Sequence, residues 1–398
     1  MTVVLSSLSS VLSYLYLLLC ARSLAPADFG ALVTLIGFIN VSAFLGVPLG
    51  LHITKVLAPL PRDRTFATWM SFWRAVLRYG AVATAVVSIL ALPFAGMLGV
   101  GQFAILLTTW TIYGYVLSIV ANGLTSASGA LRQQAGIGLF GALVKLSVAG
   151  LLFLMTPSLL AGIGAYGLGF LATCGATFLF ARIRKLAIDG GDGEAALRGL
   201  ASQQFVFLVL AYLFLYLPFS ADQLLVQLFA RAESGNYAAA ATLGKISFYF
   251  LSPALVVVYA HLALAQGDGA VQKRILIQGL GVCSLLGGLM VLLFAMAPDM
   301  IVRRLLPEQY GSTGLSIVLM AIASALYGLA SVVTMFGIVT FKRRLIPALA
   351  LAQMAQVLLF RFSHETLLAL VWNQIATCGL MLVCGAIAVL VDEPPPAV

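Results

Sequence analysis

The sequence predicts an all-α polytopic membrane protein with about 12 transmembrane helices in two six-helix lobes. Composition, long apolar runs and an internal repeat support this prediction. Of the 398 residues, 62% are hydrophobic and only 9% are charged, whereas a soluble domain carries about 25% charged residues. Because so few charges cannot cover the surface of a soluble protein of this size, the composition indicates a chain that lies in a membrane.

The apolar runs are long enough to cross a bilayer as helices. Two of them, YGAVATAVVSILALPFAGMLGVG and FAILLTTWTIYGYVLSIVANGL, each exceed the roughly 20 residues that a helical span requires. We predict twelve spans, at 3–24, 29–57, 73–97, 102–127, 134–156, 159–181, 203–230, 236–265, 275–297, 312–338, 345–362 and 366–391. Residues 58–72 and 182–202 are expected to be polar joints.

The basic residues predict the orientation, because cytoplasmic loops are enriched in Lys and Arg. Five lie at loops that follow odd-numbered spans: Arg22, Arg231, Arg303, Arg304 and Arg361. Fifteen lie at loops that follow even-numbered spans, for example Arg132 and Lys342. We therefore expect both termini on the cytoplasmic side of the membrane. The net charge of +9 then reflects this bias and predicts no nucleic-acid partner.

The two halves of the sequence repeat with an offset of a little over 200 residues. Gly30 matches Gly235, and Pro48 matches Pro253, both at an offset of 205. Further along, Arg132 matches Arg343 at an offset of 211. The turn at residues 28–30 should then match an external turn at residues 234–236. We predict an N-terminal lobe over 1–182, a cytoplasmic linker over 183–202, a C-terminal lobe over 203–391 and a disordered tail over 392–398. Parallel repeats of this kind are common in transporters.

Several kinds of site are disfavoured. The five cysteines lie inside apolar runs without zinc-type spacing and the three histidines are scattered, so we expect no metal and no cofactor. No Asp-x-Asp motif occurs in the loops, and the external loops are short. A membrane transferase or polymerase is therefore disfavoured, and we expect a protein that is not an enzyme.

Three ionisable residues lie well inside the predicted spans: Lys145, Asp222 and Lys245. Each costs about 2.5–3.5 kcal/mol at a helix centre on insertion scales, so each needs a polar partner or a wet cavity. Asp222 could pair with either lysine or carry a proton in a coupled cycle; a salt bridge is favoured. Arg22 and Arg231, near the outer ends of spans one and seven, could gate the outer mouth or reach the lipid interface.

Polar residues recur at helical spacing beside these charges. Thr242, Lys245, Tyr249 and Ser252 share one face of span eight, and Gln134, Gly138, Gly141 and Lys145 share one face of span five. Span four (Thr111, Tyr115, Ser118, Asn122, Thr125) and span ten (Ser324, Tyr327, Ser331, Thr334) carry further stripes. Such stripes line cavities, or they hold helices together.

The repeat offset adds two amides to the candidate site. Lys245 matches Asn40, and Lys145 matches Gln356. We therefore predict a hydrated cationic cavity between the lobes, whose lining includes Lys145, Lys245, Asn40, Gln356, Asn122 and Tyr249. Lysines flanked by amide donors suit an anionic group such as a diphosphate.

Three stretches resemble one transporter family. ARSLAPADFGALVTLIGFINVSAFLGVPLG (Ala21–Gly50) resembles the opening motif of polysaccharide-transport flippases. ADQLLVQLFARAESGNYAAAATL (Ala221–Leu243) resembles their seventh-span Asp followed by Gly-x-Tyr, and LLPEQYGSTGLSIVLM (Leu305–Met320) resembles the entry to their tenth span. The family comprises O-antigen-type, lipid-linked oligosaccharide flippases of the multidrug/oligosaccharidyl-lipid/polysaccharide (MOP) exporter superfamily. Its opening arginine corresponds to Arg22, its acid to Asp222, and its Gly and Tyr to Gly235 and Tyr237.

The resemblance implies alternating access by two six-helix lobes and a polyprenyl-diphosphate-linked oligosaccharide as substrate. The partners it implies are membrane lipids and the polymerase and glycosyltransferases of a surface polysaccharide pathway. Two alternatives stay open: a drug or organic-cation antiporter of the same superfamily, which would need acids in its cavity, and a non-transporting component of an envelope polysaccharide assembly complex.

Overall fold

The computed structural model describes residues 2–60, 62–183, 202–265 and 267–391. Helices make up the regular structure of these ranges, which contain no strand. Twelve helices in the described ranges are long and apolar enough to cross a membrane, which confirms the predicted fold class.

Two compact units divide the chain, Met1–Tyr212 and Leu213–Val398. The boundary falls inside the seventh span. The predicted linker, 183–202, and tail, 392–398, lie almost wholly outside the described residues, so both stay predictions.

The first six spans are formed by eight helices, since the second span is divided and a short helix follows the third. They are α1 (Thr2–Ser23), α2 (Pro26–Val41), α3 (Ala43–Leu57), α4 (Arg62–Ala91), α5 (Phe94–Leu98), α6 (Gln102–Ala127), α7 (Leu131–Met155) and α8 (Leu159–Ile183).

The last six spans show the same plan, with the seventh and eighth spans divided. Their helices are α9 (Gln203–Ser220), α10 (Asp222–Phe229), α11 (Ser234–Gly244), α12 (Ile246–Leu264), α13 (Gly269–Met296), α14 (Pro298–Leu305), α15 (Gly314–Val339), α16 (Leu345–Phe362) and α17 (Leu367–Val391). Two 3-10 turns, Arg231–Glu233 and Glu308–Thr313, precede α11 and α15.

Several helix pairs pack together in the same way within each unit. In the first unit α8 packs on α6 and α7, and α3 and α4 pack on α6. In the second unit α17 packs on α15 and α16, and α12 and α13 pack on α15. The packing therefore repeats with the sequence. Outward apolar residues, such as Leu154 and Leu264 with 86% and 85% of their surface exposed, suit contact with lipid.

Two predicted boundaries were wrong. The joint expected at 58–72 is mostly helical, because α4 begins at Arg62. Its aromatic residues recur on one face and form a core: Trp69 stacks between Phe66 and Trp73 with ring centroids 5.4 and 5.5 Å apart. The Trp69 indole N–H also donates to the Val120 carbonyl at 2.8 Å.

The external turn expected at residues 234–236 lies earlier in the chain. Ser234 begins α11, and residues 230–233 make the turn between α10 and α11. Its counterpart also shifts, since α2 already begins at Pro26. Proline suits the first turn of a helix, where its missing N–H would have no partner.

Candidate functional site

Lys145 is buried where α1, α7 and α8 meet in the first unit, with 8% of its surface exposed. Its ammonium donates to the Ser13 hydroxyl on α1 at 3.0 Å. The same nitrogen lies 4.6 Å from the ring centroid of Tyr166 and 5.2 Å from that of Tyr16. A cation within about 6 Å of an aromatic face is attracted by the ring quadrupole, so one hydroxyl and two rings surround the charge.

Glycines allow α7 and α8 to approach each other around this lysine. A Cβ atom on Gly169 would lie 3.0 Å from the Lys145 Cβ and 3.0 Å from the Gly141 carbonyl oxygen. A Cβ on Gly141 would lie 2.9 Å from the Gly169 carbonyl oxygen. The close approach of the two helices is thus seen at Gly141, whereas a Cβ on Gly138 would meet nothing within 4 Å.

The aromatic partners of Lys145 are held in place and continue into a row. The Tyr16 hydroxyl donates to the Gly162 carbonyl at 2.9 Å. Tyr166 contacts Phe170 with ring centroids 5.3 Å apart, and Phe170 contacts Tyr115 at 5.0 Å. A line of rings, three of them tyrosine, therefore extends from the buried ammonium.

Within the described ranges, no carboxylate lies within 4 Å of the Lys145 ammonium. A lysine ammonium has three hydrogen-bond donors, and the described residues accept from one of them, at Ser13. The first unit thus holds a buried cation whose protein contacts are all uncharged.

Lys245 in the second unit has the opposite arrangement. Its ammonium lies 2.7 Å from Oδ2 and 2.9 Å from Oδ1 of Asp222, which is fully buried. It also donates to the Phe219 carbonyl at 2.6 Å. The Tyr237 hydroxyl donates to Asp222 Oδ2 at 2.9 Å. Asp222 is therefore a salt-bridge partner of Lys245 in this structure, and the carboxylate charge is locally neutralised.

The salt bridge lies at a break in the seventh span. Pro218 lies inside α9, and its ring removes one helical N–H and favours a break. The chain leaves the helix after Ser220 and resumes it at Asp222. Carbonyl groups at such a break need donors from elsewhere. Lys245 donates to Phe219, and the Tyr327 hydroxyl donates to Leu215 at 2.9 Å.

Buried amide side chains donate hydrogen bonds to a third carbonyl of the break, that of Pro218. Gln356 and Gln374 both donate to the Pro218 carbonyl, at 2.7 and 3.0 Å. Gln356 also donates to the Gln374 side chain at 2.9 Å and accepts from Gln353 at 2.7 Å. Gln356 is thus fully buried and donates to the seventh span in this structure, and its role in ligand binding stays a prediction.

Among the described residues, no hydrogen bond joins the side chain of a predicted site residue other than Asp222 to the ammonium of Lys145 or Lys245. Asn40 and Asn122 are half-buried, and Tyr249 is 42% exposed and contacts Phe248 with ring centroids 5.7 Å apart. Arg22 and Arg231 are exposed at the end of α1 and in the turn before α11. Their roles, and the cavity between the lobes, stay predictions.

Most hydroxyls of the fourth- and tenth-span stripes bond to their own helices. Thr111, Ser118, Thr125, Ser324 and Ser331 each donate to a carbonyl three or four residues earlier. Such local bonding is common for Ser and Thr in helices. These five hydroxyls are therefore satisfied within their own helices. Two tyrosines of the stripes do reach other helices: Tyr327 donates to Leu215 on α9, and Tyr115 contacts Phe170 on α8.

Sequence reasoning missed Ser13, Tyr16 and Tyr166 beside Lys145, and Phe219 and Gln374 beside the break. Two periodic patterns could have identified the first group. Ser9, Ser13, Tyr16 and Cys20 recur at intervals of four, three and four on α1, and Tyr166, Phe170, Thr173 and Thr177 do so on α8. Aromatic residues within apolar runs otherwise resemble ordinary core.

No protein-family profile and no curated protein matches this chain. Solved structures do match its fold. A multidrug resistance MATE family transporter of the MOP superfamily, facing inward, aligns with a TM-score of 0.71 at 12% identity, over 98% of this chain and 97% of that chain. The lipid II flippase MurJ, in an inward closed conformation, aligns with a TM-score of 0.69 at 13% identity, over 98% and 86%.

A MOP superfamily transporter from Pyrococcus furiosus, described as having a binding pocket of reverse polarity, aligns with a TM-score of 0.57 at 14% identity, over 97% of this chain and 92% of that chain. Identities this low show a shared fold and leave the substrate open. The chain therefore has the fold of the MOP superfamily transporters, a fold found in both multidrug and lipid II transport.

Proposed function

We propose that this protein is a membrane transporter that moves a polyprenyl-diphosphate-linked oligosaccharide from the inner to the outer leaflet of a bacterial plasma membrane, by alternating access, for surface polysaccharide synthesis. The observation that carries the proposal is Lys145, a buried cation with no carboxylate within 4 Å in the described residues. The fold shared with a lipid II flippase and the motif resemblance support it.

The energetic argument starts from the cost of burying Lys145. A lysine at a helix centre costs about 2.5–3.5 kcal/mol on insertion scales. One neutral hydroxyl and two aromatic faces offset part of this free-energy cost, since a cation–π contact contributes about 0.5–2 kcal/mol. A negatively charged ligand would offset the rest of the cost. A buried lysine without a counter-charge therefore favours an anionic substrate.

A diphosphate suits this environment chemically. Phosphate oxygens accept from lysine as a point charge, and the Ser13 hydroxyl lies 3.0 Å from the same nitrogen as a second donor. The row formed by Tyr16, Tyr166, Phe170 and Tyr115 offers apolar faces and hydroxyl groups together, which suits the mixed surface of a saccharide. The polyprenyl tail would stay in the bilayer.

The second unit contributes little free charge in this state. Asp222 neutralises Lys245 at 2.7 Å, so the net local charge of that site is near zero. We infer that Lys145 binds the anion and that the Asp222–Lys245 pair organises the seventh span. A polymerase and glycosyltransferases that exchange the substrate with this protein complete the proposed pathway.

Transport in proteoliposomes tests the proposal. The full chain is reconstituted with a fluorescent polyprenyl-diphosphate saccharide, and its arrival in the outer leaflet is followed with a membrane-impermeant quencher. We expect Lys145→Ala to slow movement roughly tenfold or more, because a hydrogen bond to a charged group contributes about 1.5–3 kcal/mol. Lys145→Arg keeps the charge and should retain more activity than Lys145→Ala.

Lys273→Ala is the matched control, because Lys273 is exposed on α13 and lies outside the site. It should transport at the wild-type rate. Equal rates for Lys145→Ala and wild type would refute the assignment of Lys145, and a wild-type protein that moves no lipid-linked saccharide would refute the proposed function itself.

Organic-cation antiport is the second candidate. The observation in its favour is the aromatic cluster beside Asp222, in which Phe219 stacks on Tyr327 with ring centroids 4.2 Å apart and Phe248 lies 4.9 Å from Phe219. Aromatic faces and an acid suit a cation. The acid is already paired with Lys245, however. Uptake of a fluorescent organic cation that is lost in Asp222→Asn would favour this candidate.

A further inference from the structure

Lys245 is surrounded by oxygen atoms in the manner of a coordinated cation. Three oxygens lie within hydrogen-bond distance of its ammonium: the Phe219 carbonyl at 2.6 Å, and Oδ2 and Oδ1 of Asp222 at 2.7 and 2.9 Å. The Tyr237 hydroxyl supports the carboxylate from behind at 2.9 Å. The side chain of Lys245 is 15% exposed and that of Asp222 is fully buried.

These oxygens come from a helix break, which is where transporters bind their coupling ions. In discontinuous membrane helices, carbonyls at the C-terminal end of the first half-helix coordinate sodium. Here the Phe219 carbonyl lies at the end of α9, and Asp222 opens α10 two residues beyond Ser220. The Phe219 carbonyl lies at the negative end of the dipole of α9. This carbonyl and the Asp222 carboxylate therefore both attract a positive charge placed between them.

We propose that the Lys245 ammonium is a tethered monovalent cation that permanently occupies this oxygen site, so that the protein takes no sodium or potassium from solution there. The side chain supplies one positive charge and donates to a carbonyl and a carboxylate. Without the ammonium, the oxygens of these two groups could coordinate a metal ion. The ammonium is covalently held beside these oxygens and already donates to both groups, so a free ion would have to displace it to reach them. The proposal concerns the occupant of the break and does not depend on the cargo.

The proposal predicts what happens when the ammonium is removed and the oxygens stay. Lys245→Ala leaves a buried carboxylate without a counter-charge, which is strongly unfavourable. The carboxylate must then gain a cation or a proton. The Phe219 carbonyl and Asp222 oxygens that Lys245 leaves behind are ligands for a monovalent cation, and sodium from solution should then fill the site.

The test measures binding of radioactive sodium to the purified full-length protein, with choline chloride as the background salt and unlabelled potassium as competitor. Wild type should bind no sodium above background, whereas Lys245→Ala should bind it saturably. The double variant Lys245→Ala/Asp222→Asn should lose this binding, because the carboxylate is gone. Lys145→Ala is the matched control: it removes a buried lysine that has no carboxylate beside it in the described structure, and should gain no sodium site.

Two results would overturn the proposal. One is sodium binding by wild type that Asp222→Asn abolishes, because the site would then take an ion despite Lys245. The other is a folded Lys245→Ala protein that binds no sodium, because its oxygens would then not form a cation site. If Lys245→Ala folds poorly, its yield is compared in sodium and in choline salts. Better folding in sodium supports the proposal, and equally poor folding in both salts contradicts it.

Discussion

The first unit holds Lys145 and the second holds Lys245, and the two lysines have opposite electrostatic surroundings. Lys145 contacts a hydroxyl and two tyrosine rings, whereas Lys245 is bound by a carboxylate and a carbonyl. The repeat makes the contrast sharper. At its offsets of 211 and 205 residues, Lys145 matches Gln356, and Ser13 matches Pro218.

The matched residues are hydrogen-bonded in both units, but to different acceptors. Lys145 donates to the Ser13 hydroxyl at 3.0 Å, and Gln356 donates to the Pro218 backbone carbonyl at 2.7 Å. Each unit thus joins its fifth span to its first through one long polar side chain. The comparison teaches that matched positions can carry either a charged or a neutral donor, so a shared packing plan can hold one neutral site and one cationic site.

The largest expected effect comes from separating the ion pair of the second unit. Asp222→Asn leaves the Lys245 ammonium buried without its counter-charge, and breaking a buried pair costs about 3–5 kcal/mol. Thermal unfolding in detergent should show a large loss of stability, and Asp222→Asn/Lys245→Met should recover much of it. Lys145→Met, which breaks no pair among the described residues, should lose far less; equal losses at the two lysines would remove the contrast between the units.

A smaller effect is expected at the helix contact of the first unit. Gly169→Ala places a Cβ 3.0 Å from both the Gly141 carbonyl and the Lys145 Cβ, and overpacking of this kind costs about 1–3 kcal/mol. Gly164→Ala on the same helix is the control, because its Cβ would meet nothing within 4 Å. If both variants unfold at the same temperature, the close approach of α7 and α8 is not required around Lys145.

Next in size is the hydroxyl that ties the tenth span to the broken seventh span. Tyr327→Phe removes the donor to the Leu215 carbonyl and keeps the ring stacked on Phe219. One hydrogen bond contributes about 0.5–1.5 kcal/mol, so a modest fall in thermal stability is expected. Tyr79→Phe, at a residue that is 76% exposed, should change nothing. A Tyr327→Phe protein as stable as wild type would show that the break does not need this donor.

The smallest effect on stability is expected when the first unit receives the amide of the second. Lys145→Gln can keep the bond to Ser13 and removes a buried charge, so stability should change by less than about 1 kcal/mol. Transport of a lipid-linked anion should nevertheless fall, as for Lys145→Ala. Loss of folding in Lys145→Gln would mean that the charge itself stabilises the first unit.

The sequence was sufficient for the fold class and the number of spans, because long apolar runs are a local signal. It also identified the three buried charges, since each interrupts an apolar run. It could not identify the partner of Asp222, because Lys245 is 23 positions away. The turn between α10 and α11 determines which residues of the two spans face each other, and the sequence pattern does not give the geometry of that turn. The division of the seventh span after Ser220 was also missed, although Pro218 was visible within the run.

The polar stripes show a second limit of sequence reasoning. Helical spacing placed Ser118 and Ser324 on polar faces, yet their hydroxyls bond to carbonyls of their own helices. A short hydroxyl side chain can satisfy itself within one turn, so periodicity alone does not distinguish a cavity lining from a self-contained group. Lysine and glutamine reach further, and Lys145 and Gln356 do connect different helices.

The Pro218 carbonyl also has a consequence for the order of synthesis. Its two amide donors are 138 and 156 residues further along the chain, on the eleventh and twelfth spans. At translation rates of about 5–20 residues per second, the seventh span would wait on the order of ten seconds or more for them. A chain that ends before the eleventh span would lack both amide donors, and the Pro218 carbonyl would have neither of these hydrogen bonds. The last two helices therefore complete the hydrogen bonding of a span that is synthesised long before them.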